Sequence, residues 1–382
     1  MSLSSAINAA NSGLQVSSLR AEIVATNVAN ATTPGYVRRS VTVSETVLAG
    51  RTVGVTVDGI ARTADAQIKA QRRELTSGLA QASVLSSTWK SISARIGDTA
   101  AGDGLFKSFS DFETALARSV SAPESSSAAA SLLEAARGIT RELNSLSDMV
   151  TVQRAEADRE IADGVNVVNA ALKTIQELNT RLSGMNRTSG EAAALIDERQ
   201  RVLDTISEYL PIQTVDRDSG TIDVLTREGV FLVAGQAREI QFTPSAAFGP
   251  DISLADGELS GLSVDGIDLT PGAASYGAVS GGLFGALFTL RDNDLPALSA
   301  QLDTIAADLI SRISDDAIDP TKTPGDPGLF VDPDTAAGPG VAGRISLNAA
   351  IDPAQGGLVT RLRDGLGAVT AGPPGNRTIL QG

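Results

Sequence analysis

Leu3, Ile7, Ala10, Leu14, Ser17, Ala21, Val24 and Val28 recur alternately four and three residues apart. That is the a/d spacing of a helix that packs lengthwise on another helix, with a mean period near 3.5. Arg20 and Glu22 are the only charged residues between Met1 and Val37, and most of the rest are Ala, Ser, Asn and Thr. Small seam residues allow close approach but bury little area each, and a lone helix of this length is marginal in water. The expectation is a helix that is poorly ordered until it docks. Asn27, Asn30 and Gly35 favour helix-ending conformations, and Pro34 drives Thr33 out of the α region and sets up a type II turn. The helix is therefore expected to stop between Asn30 and Thr33.

Beyond the turn, Val41 and Val43, then Val53, Val55 and Val57, alternate with small or polar residues about an Ala49-Gly50 bend. This reads as a hairpin over residues 38–60. Asp65 is placed to cap a helix running to Ile96, with Ile68, Leu75, Leu79, Ala82, Trp89, Ile92 and Ile96 as its apolar face and Trp89 in the core. Leu105, Phe106, Phe109, Phe112 and Leu116 share one face of a short helix. Ser121 and Glu124 form a capping box, with Pro123 in the first turn, for a stretch of nearly sixty residues to Leu182. One apolar stripe, from Leu132 to Val150 and again from Val165 to Leu182, runs through it, and Gly164 is a candidate break. A further helix is expected over residues 190–208.

Residues 211–281 shift to Gly, Asp, Thr and Val, with alternating runs at 212–215, 222–225 and 230–233 that suggest an inserted β domain. Helix returns over 283–313, interrupted at Asp292–Pro296 by a capped break, followed by a long loop over 319–343, a helical candidate at 357–365 and an unstructured end from Thr370. The fold class expected is α+β, mainly helical: an elongated, multi-domain rod of coiled-coil-like helices with a hairpin near the N-terminus. Its divisions are an axial helix and turn (1–37), a helical body (38–210), the inserted β domain (211–281) and a return segment (282–382).

Chemistry is strongly bounded. The chain has no His and no Cys, which removes imidazole bases, thiolates, disulfides and the usual zinc ligands. A formal charge of -14 opposes nucleic acid and anionic membrane surfaces. No basic and apolar leader opens the chain, and no run is long enough to span a bilayer. Asp216, Asp218, Gly220 and Asp223 resemble the start of a calcium loop, but Arg227 stands where the bidentate Glu belongs, so a hairpin turn is preferred and neither metal nor cofactor is expected. A carboxylate-only hydrolase remains an alternative of a different class, without a segment that suggests a cleft.

Ser12-Gly13-Leu14 and the run Thr26-Asn27-Val28-Ala29-Asn30-Ala31-Thr32-Thr33-Pro34-Gly35-Tyr36 resemble the N-terminal signature of the axial proteins of bacterial flagella. Gly35-Tyr36-Val37-Arg38-Arg39, the Val and Asn spacing from Val165 to Leu182, Leu195-Ile196-Asp197-Glu198-Arg199-Gln200, Leu232-Val233-Ala234-Gly235 and Ser280 to Leu287 are similar to the hook-associated protein 1 family. The Tyr common early in that family's second helix is replaced by Ala66 and Gln67. The resemblance implies a structural protein joining hook to filament, exported to the extracellular flagellum without a cleaved signal and assembled as a homo-oligomeric ring between the hook protein and the next hook-associated protein. Another hook or filament component is the runner-up. Leu3, Ile7, Ala10, Leu14, Ala21, Val24 and Val28 are the expected assembly seam, and Asn27, Asn30, Thr33, Pro34, Gly35 and Tyr36 the turn that follows it. The family's C-terminal helix, which pairs with the N-terminal one and is the end that an export chaperone recognises, is not found before Gly382.

Overall fold

The computed structural model describes residues 3–33, 35–48, 51–63, 65–334 and 338–381. In chain order the longer elements are α1 (Leu3–Ala29), the antiparallel hairpin β1 (Arg39–Leu48) and β2 (Arg51–Arg62), α2 (Ala66–Ile96), α3 (Gly104–Ser121), α4 (Ser126–Ser183) and α5 (Gly190–Tyr209). Four strands follow as one antiparallel sheet, β3 (Ile212–Asp216), β4 (Ile222–Thr226), β5 (Phe231–Ala234) and β6 (Gln236–Ala237). A second small sheet holds β7 (Ile240–Gln241), β8 (Ser263–Val264) and β9 (Ile267–Asp268). Helix then returns as α6 (Gly282–Thr289), a π-helical turn (Leu290–Asp294) and α7 (Leu295–Ile313). Short pieces close the chain: β10 (Phe330–Val331), α8 (Val341–Arg344), β11 (Ser346–Leu347), α9 (Arg361–Asp364) and α10 (Thr378–Gln381). The α+β, mainly helical class is as expected; Pro34 and the Ala49-Gly50 bend lie outside the described residues.

The chain forms two compact units, the first of Met1–Ser83, Ile161–Thr243 and Gly261–Ala286, the second of Val84–Glu160, Pro244–Ser260 and Leu287–Gly382. In the first unit the C-terminal part of α4 carries the sheets. Val168, Leu172 and Ile175 are fully buried, and its asparagines splice into strand backbones as surrogate strands. Asn179 Oδ1 accepts from Ile222 N while its Nδ2 donates to Ile222 O; Asn169 treats Ile240 in the same way. Such pairing satisfies the edge groups of short strands that could not stand alone. The candidate break at Gly164 does not occur. A side chain there would meet the rings of Phe284 and Tyr209, each 2.8 Å from the position of a Cβ, so the glycine lets aromatic rings lie on an unbroken helix.

In the second unit the other half of the α4 stripe, from Leu132 through Ala136, Ile139, Leu143 and Leu146 to Val150, is buried as its period requires. It joins Leu105, Leu295, Leu302 and Phe330 in one core, with Phe109, Phe112 and Leu116 of α3 packed against it; Phe106 instead faces outward at 40% exposure.

Several expectations are corrected. The Ser121/Glu124 capping box does not form: Ser121 ends α3 by donating to Ala117 O, Ser125 caps α4 by accepting from Ala128 N, and Glu124 is drawn away to Arg363 and Gly375 N. The interruption at Asp292–Pro296 is a single wide turn in which Leu295 N bonds to Leu290 O, and Asp294 makes no side-chain cap. Its cause is tertiary. The turn directs Arg291, which is wholly buried, onto Asp158 (2.6 Å) and Asp292 (2.8 Å), while Arg154 donates to the Arg291 carbonyl and to Gly249 O and Ile252 O. Burial, with Arg291 nearby, lowers the affinity of Arg154 for its proton. The end is not unstructured either, since α10 buries Leu380. Finally, Ile68, Leu75 and Leu79 of α2 are 65–70% exposed, and Trp89 lies at the surface, donating to Asp294 at 3.3 Å. Helical period identifies a face; it does not guarantee that the same chain covers it.

Candidate assembly site

Every residue of the expected seam is exposed. Leu3, Ile7, Leu14, Val24 and Val28 show 79, 58, 70, 59 and 72% of their surface, and Ala10 and Ala21 are exposed beside them. The opposite face of α1, by contrast, has a partner. Val16 and Ile23 are buried where α1 lies along the hairpin, Ser12 Oγ accepts from Val55 N, and Gly54 leaves room for that approach. The helix thus has one side on its own domain and an apolar seam turned outward.

The turn after α1 is built around Asn27. Its Oδ1 accepts from Tyr36 OH (2.8 Å) and Arg39 N (2.9 Å), and its Nδ2 donates to Arg39 O (2.8 Å). Asn30 bonds back to Thr26 O and accepts from Thr33 Oγ1. Tyr36 N donates to Thr33 O, and Gly35 has φ +79°, the backbone a type II turn needs at its third residue. A side chain at Gly35 would also run into Arg201, 2.5 Å away. Asn27, Asn30, Thr33, Gly35 and Tyr36 are therefore brought together; Pro34 is the one turn residue outside the described set.

Sequence reasoning missed the clamp beneath this turn. Arg39 and Arg62 face each other in the β1–β2 register, and like charges directly opposite repel unless a counterion is shared. Asp197 of α5 supplies it, only 3% exposed, accepting from Arg39 Nη2 at 2.9 Å and from Arg62 Nη2. The Arg39 guanidinium also stacks 5.1 Å from the Tyr36 ring. The opposed arginines were the available signal. Around the clamp, Arg73 binds Asp204 and Gln200, and Lys69 lies among them with its proton affinity lowered by burial and then by Arg62 and Arg73. Arg199 of the same helix is buried, held by Asn179 Oδ1 and Gly220 O, and burial pushes it down to about 10, still charged at neutral pH.

A cavity of about 380 Å³ in the second unit is lined mainly by apolar side chains such as Phe112, Leu132 and Leu380. Its one carboxylate, Asp319, is occupied by Thr321 and the Leu366 amide. Among the described residues no cluster of acidic side chains is placed to hold a metal ion, and no helix is long and apolar enough to cross a membrane. Asp216–Asp223 forms a hairpin turn, closed by Arg217 N on Thr221 O, with Asp223 engaged by Arg217.

These features define a mainly helical α+β protein whose N-terminal helix presents a bare apolar seam above a rigid, charge-clamped turn. Residues 90–326 match the family model described as the flagellar hook-associated protein FlgK helical domain. The chain belongs to that family. It is 28% identical over 255 residues to flagellar hook-associated protein 1 of Salmonella typhimurium, covering 64% of this chain and 45% of the relative. It is 25% identical over 316 residues to the protein of that name from Escherichia coli K12, covering 80% and 55%. The chain thus spans about half the length of the curated relatives it matches. A solved structure of the flagellar hook junction protein FlgK from Burkholderia pseudomallei shares the fold, with TM-score 0.51 at 19% identity over 69% of this chain and 46% of that one.

Proposed function

We propose that this chain is a structural, non-catalytic component of the bacterial flagellum, placed outside the cell where hook meets filament and assembled there as a ring of identical subunits between the hook protein and the next hook-associated protein. The observation that carries the reading is the outward seam of α1 in a chain of this family. Burying a Leu, Ile or Val side chain contributes roughly 1.5–3 kcal/mol, so the five large seam residues supply on the order of 10 kcal/mol before the entropy of ordering and association is subtracted. That surplus is large enough to drive docking only when the whole seam is engaged lengthwise. Export without a cleaved signal, and folding completed on docking, fit a helix that packs on the hairpin by one face and leaves its apolar seam exposed.

Immunogold electron microscopy of flagella, with antibody against residues 211–281, tests the placement. A narrow band at the hook-filament boundary is the expected result. Label spread along hook or filament would make the chain another axial component, and unlabelled flagella from cells that make the protein would overturn the reading.

A further inference from the structure

Charge is unevenly distributed in this acidic chain. Residues 1–73 hold eight basic and four acidic side chains, whereas residues 244–260 hold three acidic and no basic ones, and residues 287–382 hold twelve acidic and seven basic. The basic excess gathers around the turn. Arg38 is exposed, and among the described residues neither its guanidinium nor the Lys69 ammonium makes a hydrogen bond or a close ion pair; only their backbones bond, Arg38 O accepting from Thr63 N and Lys69 N donating to Asp65 O. Arg72 is 55% exposed and shares Asp204 with Arg73, while Arg39 and Arg62 share Asp197. Arg39, Arg62, Lys69, Arg72 and Arg73 thus gather over two carboxylates of α5, Asp197 and Asp204, with Glu198 the next acid on that helix, and Arg38 precedes Arg39 in the chain. Lys69 and Arg72 are three residues apart and so neighbours on the helix surface, and Ile68, Leu75 and Leu79 are exposed on the same stretch of α2. Among the described residues the cations of this mixed apolar and cationic surface share only two carboxylates, Asp197 and Asp204.

The complementary surface is the segment Pro244–Ser260. Arg154 and Asp158 hold it from beneath, through Gly249 O, Ile252 O and Ser245 N, while Asp251, Asp256 and Glu258 are exposed. Asp256 and Glu258 accept only from Ser253, and Asp251 has no partner among the described residues. Among the described residues none of the three meets a cation.

We propose that Arg38, Lys69 and Arg72 form a contact for a second copy of this chain, receiving Asp251, Asp256 and Glu258 of its 244–260 segment; the inference rests on the ring assembly proposed above. The contact is heterologous, two different surfaces meeting head to tail, which is the arrangement that closes a ring. Opposite charges across it fix register and partner choice more than raw affinity. The affinity of Lys69 for its proton, lowered by burial and then by Arg62 and Arg73, rises when an anion arrives beside it.

The absence of cysteine permits a direct test. Cells co-express two full-length chains, Lys69→Cys and Asp256→Cys, and their flagella are treated with a short bismaleimide. A crosslinked dimer is expected from the mixture and from neither variant alone. A dimer from Lys69→Cys alone would mean a symmetric contact, and no dimer from flagella that contain both chains would mean no contact; either overturns the inference. Absence of the unsubstituted chain from flagella would instead overturn the assembly reading itself. In parallel, K69E/R72E is expected to lower incorporation at least tenfold, and adding D251K/D256K/E258K to the same chain to recover it. Failure of that recovery, with no dimer in the crosslinking experiment, refutes the pairing.

Discussion

Replacing Asp197 by Asn isolates the clamp that holds the turn. The substitution keeps the volume but removes the one charge shared by Arg39 and Arg62, whose side chains are only 12% and 14% exposed. Their Nε atoms are buried and already unpartnered, so neither guanidinium has a second acceptor to fall back on. Removing one partner of a buried ion pair costs about 3–5 kcal/mol, and the residual exposure of the arginines places this case near 3. The two like charges also remain paired in the hairpin register, where they now repel. At about 1.4 kcal/mol per decade, a loss of that size raises local opening roughly 100-fold. Native-state hydrogen exchange is the proper assay, since a chain with two compact units need not unfold in one step. The amides of Arg39, bonded to Asn27 Oδ1, and of Ile60, bonded to Thr188 O, should lose that protection. The amide of Asn348 in the other unit, bonded to Leu329 O, should keep its own. The triple variant R39M/R62M/D197L, apolar throughout, should regain the protection. Less than a threefold change at Arg39 and Ile60 in Asp197→Asn would refute the clamp.

Gly164→Ala gains about 1 kcal/mol of helix propensity but forces the Phe284 and Tyr209 rings from their 2.8 Å approach, an overpacking worth roughly 1–3 kcal/mol. The net expectation is a lower thermal midpoint, and a stabilised variant would contradict it. Lys69→Met should stabilise the first unit at neutral pH, because burial and two arginines hold the Lys69 pKa below its ordinary 10.5. The folded state therefore disfavours the charged form: that penalty is fully present below the folded pKa and relieved as pH rises past 10.5, so urea midpoints of variant and parent should converge there. The same change should weaken incorporation into flagella if Lys69 meets a neighbouring copy. Leu14→Asp with Val24→Asp, at positions 70% and 59% exposed, should leave the folded body within about 0.5 kcal/mol of the parent and abolish incorporation; normal incorporation would remove α1 from the assembly mechanism.

What could be read from the letters alone was whatever depends on neighbours in the chain. The α4 stripe, the hairpin, the strands at 212–215 and 222–225 and the Asn27–Tyr36 turn all rest on period or on one residue's backbone preference, and all are present. What escaped depends on partners far away. Asp197 lies 158 residues from Arg39 and 135 from Arg62; Arg291 reaches Asp158 across 133, and that demand converts an expected capped break into a π turn. Glu124 had the local pattern of a capping box, yet Arg363, 239 residues on, offered a charged partner against a neutral amide, and a charge-assisted bond is the stronger. The apolar faces of α1 and α2 show the remaining limit. Their period was read correctly as a face, yet Leu14 and Leu75 are 70% and 66% exposed, so burial cannot be inferred from period when the covering surface belongs to another element or another molecule. Charge separates the two cases here. The α1 seam is almost free of it and so suits lengthwise helix packing, whereas the α2 face carries Lys69 and Arg72 and calls for an acidic counterpart, which the same sequence supplies at residues 251–258.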